Sequence, residues 1–571
     1  MKRITAIVTI LVTTCLMVCA NDSIQREVTI VKDFTPIVRD ADKINSLPPI
    51  ATPSFERRAV NYCFDATASQ VPTIATDVNI PYTPLYENVS KQHRGYIDVN
   101  MGNRLAIAAN AGYRIVDNKK DQLNLGLQFT SFNWDIPVNS QATTIQEDKT
   151  LKNYYDIRAG LHYAHIFDNN ITAAFNGTYR YIDFNYYGVA GDPIIGLPSH
   201  PFQKAQNFIA EITVDNSDAH QYDFEQWHIT GGYSLYRNAN GTYIPDASNE
   251  HHAFIEGAYN YMIDDYWSVG GDATFDYLLY NGLIPAGSDI DNLINSGTKL
   301  NTRTEYVFMA RLNPHADWRG DRMHFHAGAK IDISAGDGTI FRFAPDIHFK
   351  WEFIENYFIS ASVDGGKKLH TWHDISQYCI YFDPSQRIPS TYSPLDSRLG
   401  VQLHFIPEIT LSIYGGYEIA TDALFQSIGH SSRAISWQAI EANCLKAGAS
   451  INADVCQFLS LSIDATYRNW VHNGTAISCD RPRWVGNARI NIHPIEQLDI
   501  ELGYNMQLGR DFGSYGRLDD IHNLHVSAIY SPLHWLSIKA YGNNLLNRRY
   551  DYYYGMPAPQ AQFLLGVGIK F

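Results

Sequence analysis

His324 and His326 stand two residues apart, so on an extended strand they share one face, with Lys330 and Asp332 in the same phase further along. Two imidazoles at that spacing can ligate a divalent metal. They can equally be polar side chains on the wet wall of a larger structure, and this second reading is preferred. His251-His252 and His370-Thr371-Trp372-His373-Asp374 both border long connections, and the expectation for both is solvated positions at a rim. Asp464 and Arg468, and Asp499 and Glu501, repeat the pattern of charges at even spacing. In an open channel such charges of both signs would bias permeation. In a closed one they would pair, because a buried charge is tolerated only with a partner. No Gly-x-Ser-x-Gly, His-Glu-x-x-His or phosphate-binding glycine loop is present. The residues therefore point away from an enzyme, and no catalytic residue, cofactor or metal is expected. Serine or aspartate pairs formed across strands would leave no trace in the sequence.

The elements that carry these residues alternate. Leu123, Leu125, Leu127 and Phe129 oppose Asn124, Gly126, Gln128 and Thr130. Leu459, Leu461, Ile463, Ala465 and Tyr467 oppose Ser460, Ser462, Asp464, Thr466 and Arg468. Leu498, Ile500, Leu502, Tyr504 and Met506 oppose Asp499, Glu501, Gly503, Asn505 and Gln507. Period-two patterning means strands with one dry and one wet face. A sandwich buries the dry face, whereas a membrane barrel turns it to lipid.

Connection lengths separate the two. Tight turns recur at Asp168-Asn169-Asn170, Asp264-Asp265-Tyr266, Arg319-Gly320-Asp321, Glu355-Asn356-Tyr357 and Pro407-Glu408, and again at Cys456-Gln457, Pro494–Gln497 and Pro532–His534. Between them lie long connections at Trp134–Thr150, Tyr187–Lys204, Leu283–Thr304, Tyr381–Asp396 and Asp511–Asp519. Short and long alternate, with aromatic residues beside the short turns. That is the pattern of an outer-membrane barrel, with periplasmic turns, outer loops and aromatic girdles. The segments number about 22, in a range of about 20 to 24.

Composition agrees. The 571 residues include 37 Tyr and 27 Phe but no apolar run after the first twenty residues long enough for a membrane helix. A net charge of −15 without a basic block argues against nucleic acid as a partner. Lys2 and Arg3 precede an apolar stretch from Ile4 to Val18, the form of a secretory signal over residues 1–20, with cleavage expected between Ala20 and Asn21. Lipidation at Cys19 is the rival, disfavoured because Val18 is not small. Residues 21–90 are broken by Pro36, Pro48, Pro49, Pro53, Pro72, Pro81 and Pro84 and read as an extended periplasmic arm or a linker, with the barrel over 91–571. The five cysteines after the signal, irregularly spaced, form no disulfide framework or zinc pattern.

The chain ends on Phe563, Leu565, Val567, Ile569 and Phe571 sharing one face of a strand. This resembles the closing strand of outer-membrane barrels, in which the terminal aromatic belongs to the assembly signal. Before it stand Asn543-Asn544-Leu545-Leu546-Asn547-Arg548-Arg549-Tyr550-Asp551, then Pro557 and Pro559. Asn544, Leu545, Leu546, Asn547 and Tyr550 are similar to the Asn-Leu-(Leu/Phe)-(Asp/Asn)-x-x-Tyr run of TonB-dependent receptor barrels. The loop departs from them in Pro559-Gln560-Ala561-Gln562, where such receptors usually carry Pro-Gly-Arg. The Pro-rich arm looks like that of plugless, receptor-like barrels of the Bacteroidetes type. Receptors of this family hold a plug domain in the barrel, and residues 21–90 are too short and too broken to be one. Glu27-Val28-Thr29-Ile30-Val31 has only a superficial likeness to a TonB box.

The expectation is an all-β transmembrane antiparallel barrel in the outer membrane of a Gram-negative cell, with the arm in the periplasm. Two functions fit. One is uptake of a small solute, alone or in a complex. The other is a non-transporting scaffold of an outer-membrane assembly or secretion machine. The expected partners are outer-membrane lipid, the barrel assembly machinery, and a periplasmic or surface protein. A lumen of this size must be filled by the arm, by long loops or by another protein.

Overall fold

A computed structural model describes residues 93–137, 149–169, 171–187, 202–216, 225–239, 248–284, 302–406, 408–428, 434–472, 480–511, 516–553 and 555–571. All of them lie in one compact unit. The signal segment, Cys19, Glu27–Val31 and the 21–90 arm fall outside these residues.

The strands are β1 (Gly95–Gly102), β2 (Ile107–Asp117), β3 (Asp121–Pro137), β4 (Lys149–Ile166), β5 (Thr172–Asn185), β6 (Phe202–Asp215), β7 (Glu225–Ala239) and β8 (Ser248–Met262). Then come β9 (Trp267–Leu283), β10 (Arg303–Arg319), β11 (Met323–Ala335), β12 (Phe341–Ile354), β13 (Tyr357–Lys368), helix α1 (Trp372–Tyr378), β14 (Thr391–Ile406), β15 (Ile409–Ile428) and β16 (Ile435–Cys456). The last are β17 (Leu459–His472), β18 (Trp484–Ile495), β19 (Leu498–Leu508), β20 (Ile521–Leu533), β21 (Leu536–Asn543), the small hairpin β22 (Asp551–Tyr553) and β23 (Met556–Pro557), and β24 (Gln562–Lys570). Apart from β22 and β23, all 22 strands form one antiparallel sheet. Successive strands pair, and β24 pairs with both β21 and β1, closing the barrel. The segments near 205–215 and 222–236, the weakest strand signals in the sequence, are β6 and β7.

The face assignments hold. Along β24, Phe563, Leu565, Val567 and Ile569 are exposed on the outside, while Gln562, Leu564, Gly566 and Gly568 are buried on the inside. Closure requires glycine there. A side chain at Gly566 would collide with Asn100, and one at Gly568 with Asp98 and Ser537. Asp98 in turn pairs with Lys539 at 2.5 Å across the seam. On the outside near the short turns, Phe167, Trp267, Trp351, Phe405, Phe458 and Trp535 form an exposed aromatic girdle.

One expected boundary differs. The connection placed at Tyr381–Asp396 runs instead from Leu369 to Ser390, because the polar–apolar alternation of Thr391–Asp396 already belongs to β14. The core of the molecule is inside the barrel at the loop end. Phe132, Trp134, Phe184, Tyr236, Tyr280 and Trp372, from four strands and α1, belong to one buried cluster.

Candidate functional site: the loop-filled mouth and the polar wall

The segment 369–390 folds inward and carries α1. Thr371 caps this helix in a box: its side chain accepts from the Asp374 backbone, while the Asp374 carboxylate accepts from the Thr371 backbone. Trp372 is fully buried, edge-on to Tyr280 at 5.5 Å and to Tyr236 at 6.2 Å. Its backbone N–H donates to the buried Glu250 carboxylate at 2.8 Å. Tyr381 lies edge-on to Tyr187 at 5.1 Å and to Phe184 at 5.8 Å.

Polar ties hold the segment to opposite parts of the wall. Arg180 on β5 pairs with Asp156 on β4 at 2.6 Å and donates to the Ser376 carbonyl at 3.1 Å. Asp383 donates its N–H to the Ile435 carbonyl at 2.9 Å, and Ile435 returns one to Tyr381 at 3.0 Å. Ile284 donates to the Ser385 carbonyl at 2.9 Å, and Arg387 pairs with Asp337 at 2.9 Å. Lys152 is buried with its ammonium 5.2 to 5.7 Å from the rings of Phe132, Tyr154, Tyr187 and Tyr381.

The expectation of solvated rim residues at 370–374 is therefore corrected for His370, Thr371 and Trp372, while His373 is half-buried and Asp374 exposed. His370 is buried, and burial pushes its imidazole down to about 4, so it is neutral at physiological pH. His251 and His252 lie within β8, half-buried, bonded to Tyr233 at 2.7 Å and Asp276 at 2.8 Å. Sequence reasoning missed the inward loop because its burial is tertiary. A local signal existed in the capping box and in the density of Trp372, Tyr378, Tyr381 and Phe382, which is high for a solvated loop.

Beside α1, several buried polar atoms find no hydrogen-bond partner among the described residues: Trp437 Nε1, His472 Nδ1, both Asp480 carboxylate oxygens and Arg481 Nε. Burial pushes the Asp480 carboxyl up to about 6. The Arg481 guanidinium lies 4.3 Å from the ring centres of both Phe425 and Trp470. Such orphaned groups are costly unless something satisfies them.

Away from the aromatic cluster the inner wall is polar and paired. Asp317 on β10 accepts from His326 at 3.0 Å and His324 at 3.2 Å, and His326 also faces Asp346 at 3.6 Å. Among the described residues, no group of three or more His, Cys, Asp or Glu side chains is arranged to hold a metal ion. Lys330 pairs with Asp364 at 2.5 Å, and the buried Asp332 with Arg311 at 2.8 Å. Asp464 accepts from Asn487 at 2.8 Å, and Arg468 lies opposite Lys446 in the β16–β17 register. Asp499 meets His493 at 2.5 Å, and Glu501 stands 3.6 Å from both Arg489 and His525. The eight charges singled out in the sequence thus spread over the wall in small networks and do not converge on one site.

The C-terminal run builds the opposite side of the mouth. Asn544 and Asn547 take left-handed backbone, with φ of 48° and 50°, which favours asparagine over most residues. The Asn544 amide donates to the carbonyls of Arg548 and Pro559, both at 3.0 Å. Leu545 is half-buried against Gly542, Leu546 is exposed, and Tyr550 is buried in the mouth cluster. The buried Arg510 donates to the Asp551 carbonyl at 2.6 Å, and burial pushes the Asp551 carboxyl up to about 7.

In comparisons by sequence, no protein-family profile and no curated protein matches the chain. Comparison of structures finds a receptor barrel. The siderophore receptor PiuA from Acinetobacter baumannii matches with a TM-score of 0.58 at 12% identity, covering 85% of this chain and 82% of that one. The siderophore receptor PirA from the same organism gives 0.63 at 10%, covering 85% and 81%. The ferric enterobactin receptor PfeA from Pseudomonas aeruginosa, in complex with enterobactin, gives 0.63 at 11%, covering 84% and 81%. At these identities the likeness is one of fold. The chain has the fold of an outer-membrane receptor barrel. These neighbours are receptors and not enzymes.

Proposed function

We propose that this protein is a receptor-like barrel of the outer membrane that takes a small solute inward through its lumen. Residues 369–390 would act as the constriction at the outer mouth. The supporting observation is the combination of a receptor fold with buried polar atoms around α1 (Trp437 Nε1, the Asp480 carboxylate oxygens and Arg481 Nε) that find no hydrogen-bond partner among the described residues, beside Tyr378, Phe425 and Trp470. A solute with hydroxyl or amide groups would satisfy those groups while stacking on the rings. The paired wall below would then offer it exchangeable polar contacts. In this reading the arm 21–90 lies in the periplasm and no plug domain fills the lumen. The barrel assembly machinery recognises the face formed by Phe563, Leu565, Val567, Ile569 and Phe571.

Single-channel conductance in a planar bilayer tests the reading. Three forms are compared: the mature chain from Asn21, one starting at Lys91, and one with 372–388 replaced by a short Gly-Ser bridge. Uptake through the lumen predicts small or no steps in the first and large, solute-blocked steps in the third. Large steps on removing 21–90 alone would make the arm the stopper. Silence in all three would overturn transport and leave the scaffold.

A further inference from the structure

A pocket with a volume of about 520 Å³ lies on the rim at the loop end, bordering the aromatic mouth at Trp134. Three cations line it, each from a different part of the chain: Arg104 from the β1–β2 turn, Lys149 from the start of β4, and Arg549 from the segment before β22. One carboxylate, Asp135, opposes them, with Asn133 and Gln560 beside it.

The turn that delivers Arg104 is built for the purpose. β2 begins at Ile107, opposite Ser131, so beyond Ser131 strand β3 has an open edge on that side. Arg104 reaches along this edge, its guanidinium 3.3 Å from the centre of the Trp134 ring. To do so, Arg104 and Leu105 both adopt left-handed backbone at φ 59°, a conformation that persists only where the surroundings hold it. Asn103 supplies the hold. Its amide donates to the Ala561 carbonyl at 3.1 Å and accepts from the Phe563 N–H at 3.0 Å. Among the described residues, none of Arg104, Lys149 and Arg549 is in an ion pair.

The height of the pocket on the barrel indicates what it meets. Just below, the outward surface is apolar, with Tyr155, Ile157, Met101 and Leu565 exposed. At the pocket it turns polar through Asn133, Asp135 and Lys149. That transition is where lipid head groups lie against a barrel.

We propose that this pocket binds the phosphate-bearing head group of an anionic glycolipid in the outer leaflet, with its acyl chains lying on the apolar surface below. Two guanidinium groups and an ammonium converge as phosphate ligands require. Asp135, Asn133 and Gln560 offer partners for sugar hydroxyls, which favours a phosphorylated glycolipid over a simple phospholipid. The inference needs only the barrel's placement in the membrane and is independent of what the lumen carries.

The test uses the full chain in phosphatidylcholine nanodiscs, titrated with lipid A, with dephosphorylated lipid A and with inorganic phosphate, and read by native mass spectrometry. Wild type should retain lipid A and release the dephosphorylated form. Arg104→Gln, Lys149→Gln and Arg549→Gln should each weaken retention by about fivefold, with larger losses in combination. Because Arg104 also shapes its turn, the Lys149→Gln/Arg549→Gln pair serves as the variant that leaves the backbone intact, with heat-modifiable migration as the folding check. Equal retention of both lipid forms, or undiminished binding by the folded double variant, would overturn the proposal. Displacement of lipid A by millimolar inorganic phosphate would also do so, by showing a site for a free anion.

Discussion

The two ends of this barrel's interior are built on different principles. Toward the short turns, inward positions carry charges and imidazoles in separate small networks, many of them half-exposed, such as Asp499 with His493 and Glu501 with Arg489. At the loop end the same inward phase becomes aromatic and is covered by 369–390, so that Trp372, Tyr381 and Phe382 pack as in a globular core. One strand can serve both regimes. On β4, Arg158 and Asp156 form part of a charge network, and two residues further toward the loops Tyr154 and Lys152 are buried among rings. The lower wall is a wet surface whose contacts can exchange. The mouth is a small folded unit whose integrity depends on packing.

Breaking that unit should have the largest effect. Trp372→Ala removes the central ring, and burial on this scale is worth about 3–5 kcal/mol. The barrel strands do not depend on it, so the expected outcome is an assembled barrel with large conductance steps. Hydrogen exchange should show loss of protection confined to 369–390 and its contacts. Loss of the whole barrel would show that the mouth and the wall fold as one.

Asp156→Ala should come next, because it leaves Arg180 buried beside Ser376 without its carboxylate. Stranding one member of a buried pair costs about 3–5 kcal/mol, part of which Arg180 recovers by turning to Ser376. The same readouts apply. Unaltered protection of α1 would show that the Arg180–Ser376 contact does not anchor the helix.

A smaller, pH-dependent effect separates the groups inside the mouth. His370 is held down to about 4 by burial, from an ordinary value of 6.5. The unfolded or undocked loop therefore binds more protons between these values, and docking weakens as pH falls from 6.5 to 4. Asp480 has the opposite sign. Its carboxyl is pushed up to about 6 from 3.8, so the docked form binds more protons and docking weakens as pH rises from 3.8 through 6. Each shift corresponds to about 3 kcal/mol, so wild-type protection of 369–390 should change little between pH 6 and 4. In Asp480→Asn the loop should loosen on acidification, and in His370→Phe it should tighten. Identical pH profiles for the two variants would break this account.

How much of this could be read from the sequence follows the same division. The lower wall was legible because alternation, tight turns and girdle aromatics are local properties: Leu125, Leu127, Ile463 and Leu502 are exposed as their phase requires. The partners of the wall charges were not, since Asp317–His326 and Lys330–Asp364 are set by register between strands. The mouth was nearly invisible. His370 read as solvated because polar residues in a long connection usually are, and the capping box and dense aromatics, though local, do not say that the connection turns inward. The asparagines at 544 and 547 were found by resemblance, and only the backbone explains them.

The smallest expected effect sharpens the contrast from the other side. Asp499→Asn and Glu501→Gln remove carboxylates from the wall near the short turns, where both are at least partly exposed and their partners are shared with water. Contacts of this kind contribute little to stability, so thermal unfolding should not move. The charges still line the path, and nearby fixed charge sets the local concentration of permeating ions. In the form lacking 372–388, where current is measurable, the double variant should shift the reversal potential under a salt gradient toward anion selectivity. A clear drop in unfolding temperature with unchanged selectivity would reverse the assignment, making the lower wall a structural core and leaving the mouth as the only part that meets the solute.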